Sequence, residues 1–175
     1  MAKIPYVEKE QAAENLKPVY DGLEQKFGVV PNVIKAMANA PEMLSGFMPF
    51  LGAALGPGTQ VSNDLKELAI LTTAKLNGCS YCTAHHTAAG KRAGLTDEKI
   101  AASTDASSAA LDDKEKAIVQ YTTELAKNVA ASDEALSQMK QHFNDAEIAE
   151  LTMVAGTFHV LTRFADTFKV DLEHG

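Results

Sequence analysis

Apolar residues in this sequence recur every three or four positions and almost nowhere alternate with period two, which confines the chain to helices. From Leu111 to Val129 the series Leu111, Ile118, Tyr121, Leu125 and Val129 marks one helical face. From Asn144 to Lys169 the stripe Ile148, Leu151, Ala155, Phe158, Leu161, Ala165 and Phe168 predicts one long helix. Its apolar surface is broad enough for the core or for a subunit contact. Ala, Leu, Lys, Glu, Gln and Met, all good helix formers, dominate the sequence. The expected fold class is all-α.

Punctuation divides the chain into about eight or nine helices. Gly28-Val-Val-Pro31 closes an opening helix, Asn39-Ala-Pro41 starts another near Glu42, and Gly56-Pro-Gly58 ends that one. Asn77-Gly78 breaks a helix that runs from about Ser62, because glycine readily takes the left-handed conformation of a C-terminal cap. Gly94-Leu-Thr96-Asp-Glu reads as a helix end followed by a new N-cap. Ser103 to Ala110, small and polar, reads as the flexible connection, and Asp112 starts the next helix. The expectation is a single domain over 1–175, with N-terminal helices over 1–60, a catalytic helical hairpin over 61–94 and C-terminal helices over 111–172. At an offset of 83 residues Glu67-Leu68 recurs as Glu150-Leu151, each pair opening a long apolar helix. Thr162 and Ala165 stand where Cys79 and Cys82 would fall, so this echo lacks the thiols. It reads equally as coincidence or as a degenerate duplication.

Charge narrows the partners. Sixteen Lys and Arg against 23 Asp and Glu leave a net charge of −7 with no long cationic run. Nucleic acid and anionic membrane surfaces both need clustered cations, so neither is expected. No apolar run approaches the ~20 residues of a spanning helix. Met1 to Tyr20 carries Lys3, Glu8, Lys9, Glu10 and Glu14 in place of a signal-peptide core, which makes the cytoplasm the expected location. Two cysteines cannot build a disulfide framework. In a reducing compartment a close pair reads as catalytic or metal-binding.

The run from Glu67 to His86 carries that pair. One helix descends from Glu67 to Asn77, Gly78 turns the chain, and a second helix rises from Cys79. Glu67 lies ten residues before Asn77 and His86 eight after Gly78. At a rise of ~1.5 Å per residue, the two reach similar heights in an antiparallel hairpin. His86 is four residues beyond Cys82 and shares its face. Glu67, His86, Cys82 and Cys79 therefore fall into a line. The thiolate is the nucleophile, and a free thiol of pKa ~8.5 is mostly protonated at neutral pH. Unpaired amides at a helix N-terminus and a partner thiol favour the thiolate. Histidine can accept a thiol proton, and a carboxylate behind it fixes its tautomer. The second cysteine can capture a sulfenic acid as a disulfide.

The pattern Glu-x11-Cys-x2-Cys-x3-His, filled here by Glu67, Cys79, Cys82 and His86, resembles the signature of the AhpD-like alkylhydroperoxidases of the carboxymuconolactone decarboxylase superfamily. Phe27-Gly-Val-Val-Pro-Asn32, Ala40-Pro41 and an Arg163-containing terminal helix are similar to its peroxidase-related branch. The resemblance covers most of the chain. It implies an AhpD-like helical domain whose central hairpin carries CxxC, assembled as homo-oligomeric trimers or hexamers. It further implies reduction of a small hydroperoxide, re-reduction by a thiol reductant or protein reductase, and no cofactor or metal. The roles it implies are Glu67 as the base end of a proton relay, His86 as its carrier, Cys82 as the attacking thiol and Cys79 as the resolving one. Position at the helix N-terminus, by contrast, favours Cys79 as the more acidic.

AhpD proper resembles Cys-x-His-Cys at this site, whereas this chain has Tyr81. A phenol of pKa ~10 is no base near neutrality, but it can donate a hydrogen bond to a thiolate or a bound peroxide. His85 reads as a polar residue flanking the site. Competing readings are a dithiol–disulfide oxidoreductase or redox sensor, a superfamily member of other activity, a pair of buried core cysteines, and a zinc site. Zinc needs two further ligands, and the adjacent His85 and His86 point about 100° apart on a helix. His159, Arg163 and Asp166 share a face of the last helix, with Arg163–Asp166 expected as a helix pair or subunit contact and pocket lining as the lesser alternative. His142 and His174 read as surface residues, and Met37, Met43, Phe47, Met48 and Phe50 as core.

Overall fold

The computed structural model describes residues 1–173, so His174 lies outside the described residues. Among these there is no strand, and nine α-helices follow one another: α1 (Lys17–Phe27), α2 (Asn32–Met37), α3 (Pro41–Leu55), α4 (Asn63–Leu76), α5 (Ser80–Ala93), α6 (Asp97–Ala101), α7 (Asp113–Asn128), α8 (Asp133–Met139) and α9 (Asp145–Phe168). The boundaries fall where the punctuation puts them. Gly28 and Gly94 close α1 and α5 in the left-handed conformation, at φ 77° and 105°. Asp112 and Glu115 cap α7 reciprocally, each side chain accepting the other's backbone N–H, and Asn144 with Glu147 does the same for α9.

Helix α4 is the central element, packed against α5, α7 and α9. Leu68, Ala69, Ile70, Leu71 and Ala74 are fully buried, and they face different neighbours. Ile70 joins Tyr20, Leu44 and Phe158; Ala69 joins Ile118, Met139 and Leu151; Leu68 and Leu71 join Leu95, Ile100 and Val119. A helix with buried apolar side chains on several faces belongs in the interior, where each large one contributes roughly 1.5–3 kcal/mol. This anchors whatever α4 carries.

Its first turn is pinned by a buried charge. Lys66 is only 2% exposed and its ammonium lies 3.1 Å from Glu150 Oε1 on α9. It also donates to the carbonyl of Gly56 at 3.2 Å and to the hydroxyl of Thr59. Glu150 accepts the Gln60 N–H at 2.8 Å as well. Burial works against the Glu150 charge, but Thr59, Lys66 and Gln60 outweigh it and hold its pKa below the usual carboxylate range. The loop before α4, its first turn and α9 are thereby tied together.

Two expectations need correction. The Ser103–Ala110 connection starts as a 3-10 turn over Ala102–Thr104 and is anchored rather than free. Ser103 is fully buried, its carbonyl accepts from Thr72 Oγ1 at 2.7 Å and its hydroxyl donates to Ile100 O at 2.8 Å. Met43 and Phe50 are not core but stand 76% and 38% exposed, while Met37, Phe47 and Met48 half-bury against the N-terminal cluster. With Glu42 its only charged residue, α3 turns an apolar face outward. Among the described residues no helix is long and apolar enough to cross a membrane.

Candidate functional site

The bend between α4 and α5 is where the site is made. The Cys79 N–H donates to Ala74 O and the Gly78 N–H to Lys75 O, both at 3.0 Å, which closes α4 in a Schellman turn. That turn requires Gly78 at φ 71°. Cys79, the residue that completes it, is also the N-cap of α5, and its sulfur accepts the Cys82 N–H at 3.3 Å. Both cysteines are free thiols, 1% and 4% exposed. They pack with Ala36, Ala74, Tyr81, Ala165 and Val170.

The two sulfurs are unequal. The Cys82 thiol hydrogen-bonds to Cys79 and, against the effect of burial, lowers its pKa to about 7. The same bond, together with burial, pushes Cys82 far above the ordinary thiol range. Cys79 is the sulfur held toward the thiolate.

On the next turn of α5, His86 Nδ1 lies 2.7 Å from Glu67 Oε2 of α4, as the matched heights in the hairpin require. The His86 ring stands edge-on to Phe158 with centroids 4.6 Å apart. Because Glu67 occupies Nδ1, Nε2 is the nitrogen left for proton traffic. Among the described residues no hydrogen bond joins His86 to either sulfur. The expected line of four is thus two pairs, Cys79–Cys82 and Glu67–His86, in which Cys82 and His86 are one helical turn apart.

Tyr81 and His85 face a residue that the sequence did not point to. The Tyr81 hydroxyl donates to Glu173 Oε1 at 2.7 Å and accepts the Val33 N–H at 3.3 Å. Glu173 Oε1 also accepts the Asn32 N–H at 2.6 Å, and His85 Nε2 lies 2.7 Å from Glu173 Oε2 without the angle of a hydrogen bond. The phenol proton expected to serve a thiolate or a bound peroxide is therefore given to Glu173. Burial, then Glu173, pushes the Tyr81 pKa up. Glu173 is 92 residues from Tyr81 and sits in no periodic pattern, so only its acidity was visible.

The expected Arg163–Asp166 pair does not form. Arg163 Nη1 lies 2.8 Å from His159 Nδ1, and Asp166 pairs with Lys169 at 3.1 Å. Asn77 Nδ2 also points at His159 Nδ1, at 3.0 Å, so that nitrogen is an acceptor; burial and Arg163 keep the ring's pKa low. His142 is exposed. A cleft of about 160 Å³ reaches Cys79 but not Cys82, lined by Ser80 and Tyr81 on one side and by Ala165, Asp166 and Lys169 on the other. No three His, Cys, Asp or Glu side chains gather as a metal site among the described residues.

Residues 41–124 match the model of the carboxymuconolactone decarboxylase family. That match covers just under half of the chain. Within it lie Glu67, Cys79, Cys82 and His86, and the fold of the whole chain is AhpD-like. An uncharacterized peroxidase-related protein from Ralstonia eutropha JMP134, described as an alkylhydroperoxidase AhpD core, superposes with a TM-score of 0.88 at 17% identity, over 98% of this chain and 92% of that one. An uncharacterized peroxidase-related protein from Silicibacter sp. TM1040 gives 0.85 at 19% identity, over 98% and 92%. The debrominase Bmp8, as a cysteine-to-alanine variant in complex with 2,3,4-tribromopyrrole, gives 0.81 at 18% identity, over 97% and 91%. No curated protein matches the sequence.

Proposed function

We propose that this protein is a thiol-dependent peroxidase of the carboxymuconolactone decarboxylase family in which Cys79 attacks and Cys82 resolves. One observation carries the reading: Cys79 is both the thiol held toward the thiolate, at about pKa 7, and the one of the two cysteines that lines the cleft. The order of the cysteines is the reverse of the one the family resemblance implies. The Cys79 thiolate attacks the distal oxygen of a hydroperoxide and the O–O bond breaks. The alkoxide leaves as an alcohol after taking a proton, and Cys79 becomes a sulfenic acid. Cys82, protonated at rest, must then lose its proton to attack that sulfenic sulfur. His86 Nε2, one turn away, is the base for that step, and Glu67 stabilises the imidazolium. Water leaves and a Cys79–Cys82 disulfide forms. Two electrons and two protons from an external dithiol restore the resting state.

Burial favours this reading over thiol exchange with a protein partner. With the two cysteines 1% and 4% exposed, the cleft at Cys79 suits a small oxidant, whereas a protein disulfide must reach the sulfur in line. The working location in this reading is the cytoplasm, where both thiols stay reduced. The working form is a homo-oligomer, trimer or hexamer, in which Met43 and Phe50 of α3, exposed and apolar, meet a second copy. Light scattering at micromolar concentration tests the assembly, and a monomer would refute it.

The chemistry is tested by mixing reduced protein with one equivalent of hydroperoxide and following mass. The wild type loses two hydrogens. Cys82→Ser stops at a sulfenic acid on Cys79 that dimedone traps, and Cys79→Ser stays reduced. A trapped sulfenic acid on Cys82 in Cys79→Ser would reverse the assigned order. Oxidation no faster than that of a free peptide thiol would end the peroxidase reading. A parallel reaction with a bromopyrrole separates peroxide reduction from debromination by the same dithiol.

A further inference from the structure

The cleft over Cys79 has a charged rim at the end of α9. Asp166 and Lys169 both line it and pair at 3.1 Å, their side chains 51% and 53% exposed. Lys169 is the C-cap of α9 at φ 51° and ψ 50°, the left-handed conformation where glycine is the favoured residue. A lysine held there keeps an ammonium beside Asp166 at the expense of backbone strain. Asp166 follows Ala165, which is buried in the same cluster as Cys79 and Cys82. Its carboxylate thus stands one residue from the wall of the sulfur pocket, and its charge bears on both thiols. Asp171, another lining carboxylate, is paired with the Met1 ammonium, also at the cleft, at 3.2 Å, and is engaged by the Ala2 N–H at 3.0 Å and the Tyr6 hydroxyl at 3.4 Å, which leaves Asp166 and Lys169 as the adjustable charges.

From this arrangement we infer that Asp166 is a specificity-determining residue, which makes the cleft pass small uncharged hydroperoxides to Cys79 and hold back anionic ones. The inference rests on the peroxidase reading for its substrate class, but the filter is a property of the cleft itself. An anionic oxidant has to bring its charge toward Asp166 and the Cys79 thiolate inside about 160 Å³ of partly dried space. An uncharged one meets no such repulsion. Lys169 offsets part of the Asp166 field and sets how strict the filter is. One unit charge at such separations, screened as in water, changes a rate by about threefold to tenfold.

Iodoacetamide and iodoacetate test this directly, since they match in size and differ in charge. Labelling of Cys79 in the folded, reduced protein is followed by peptide mass, with the same reagents on the denatured chain as reference. The neutral-to-anionic rate ratio is expected to exceed that of the denatured chain by about threefold or more. Asp166→Asn brings it back toward the reference, and Lys169→Gly, which also relieves the backbone strain, widens it. Raised salt narrows the wild-type gap. The same ratio in wild type and Asp166→Asn overturns the inference. So does failure of both reagents to label folded Cys79, because the cleft would then be no route. If the ratios behave as expected but hydroperoxide leaves the thiols intact, the filter stands and the peroxidase reading falls.

Discussion

Helices α4 and α9 begin alike, with Glu67-Leu68 in one and Glu150-Leu151 in the other, and lie packed against each other, yet they do different work. In α4 the helix stops at Asn77-Gly78; at the same offset of 83 residues α9 runs on through Val160-Leu161. Gly78 sits at φ 71°, and neither valine nor leucine takes that conformation readily, so only α4 can turn there and start a second helix on Cys79. The echoed Thr162 and Ala165 remain mid-helix, where Asn77 Nδ2 donates to Thr162 Oγ1 at 2.9 Å and Ala165 packs against the cysteines. The two glutamates diverge in the same way. Glu67 faces His86 and belongs to the candidate site, whereas Glu150 faces the buried Lys66 and holds the fold. The partner across the interface, not the local sequence, decides what each carboxylate does.

The sharpest break of that comparison is at the thiols. Cys79→Ser and Cys82→Ser should each abolish peroxide-driven disulfide formation, read by mass, while Thr162→Ser in the echo leaves it intact. Next come the glutamates. Glu150→Gln, which leaves the Lys66 ammonium buried without its counter-charge, should cost about 3–5 kcal/mol in a denaturant melt. Glu67→Gln should cost far less stability. With His86→Asn it should instead slow disulfide closure, by roughly 10²-fold for the histidine change, in stopped flow. The reverse pattern would mean the two carboxylates have exchanged roles.

Gly78→Leu, which gives α4 the residue type that α9 has at the matching position, should cost about 1–2 kcal/mol, or a few degrees in Tm at this size. Val160→Gly, at the position of α9 that matches Asn77, should cost about 1 kcal/mol without making a bend. A harmless Gly78→Leu would show that the turn does not depend on glycine.

The smallest effect is in pH. Peroxide oxidation should rise about tenfold between pH 6 and 8, as the Cys79 thiol ionises through about 7. A pKa lowered in the folded state stabilises it above that value and loses the gain as pH falls. Reduced protein should therefore gain stability from about pH 7 toward the ordinary thiol value of ~8.5, relative to Cys79→Ser. Above that value Cys82, whose pKa is raised, works in the opposite direction.

Much of this was legible locally. Gly78, the capping residues Asp112 and Asn144, and the matched heights of Glu67 and His86 are statements about spacing along one or two helices, and spacing is what a sequence displays. The pairing of Glu67 with His86 at 2.7 Å needed only the turn between them. Other features were misread for a common reason. Tyr81 reads as a donor to a thiolate or a bound peroxide, Arg163 as a partner of Asp166, and Met43 and Phe50 as core, because each reading uses near neighbours in sequence. The actual partners of Tyr81 are Glu173, 92 residues away, and the Val33 amide, 48 residues away.

The sequence by itself determined a helical protein, its central bend and the set of groups gathered there. Those follow from periodicity and from the φ that only glycine takes without strain, both of which act over a few residues. Which sulfur is the acidic one, where it opens to solvent and which charges border that opening were decided by the tertiary structure. The reason is that desolvation and electrostatic fields depend on distance through space, and folding brings the end of α9 against the first turn of α5 across more than eighty residues of chain.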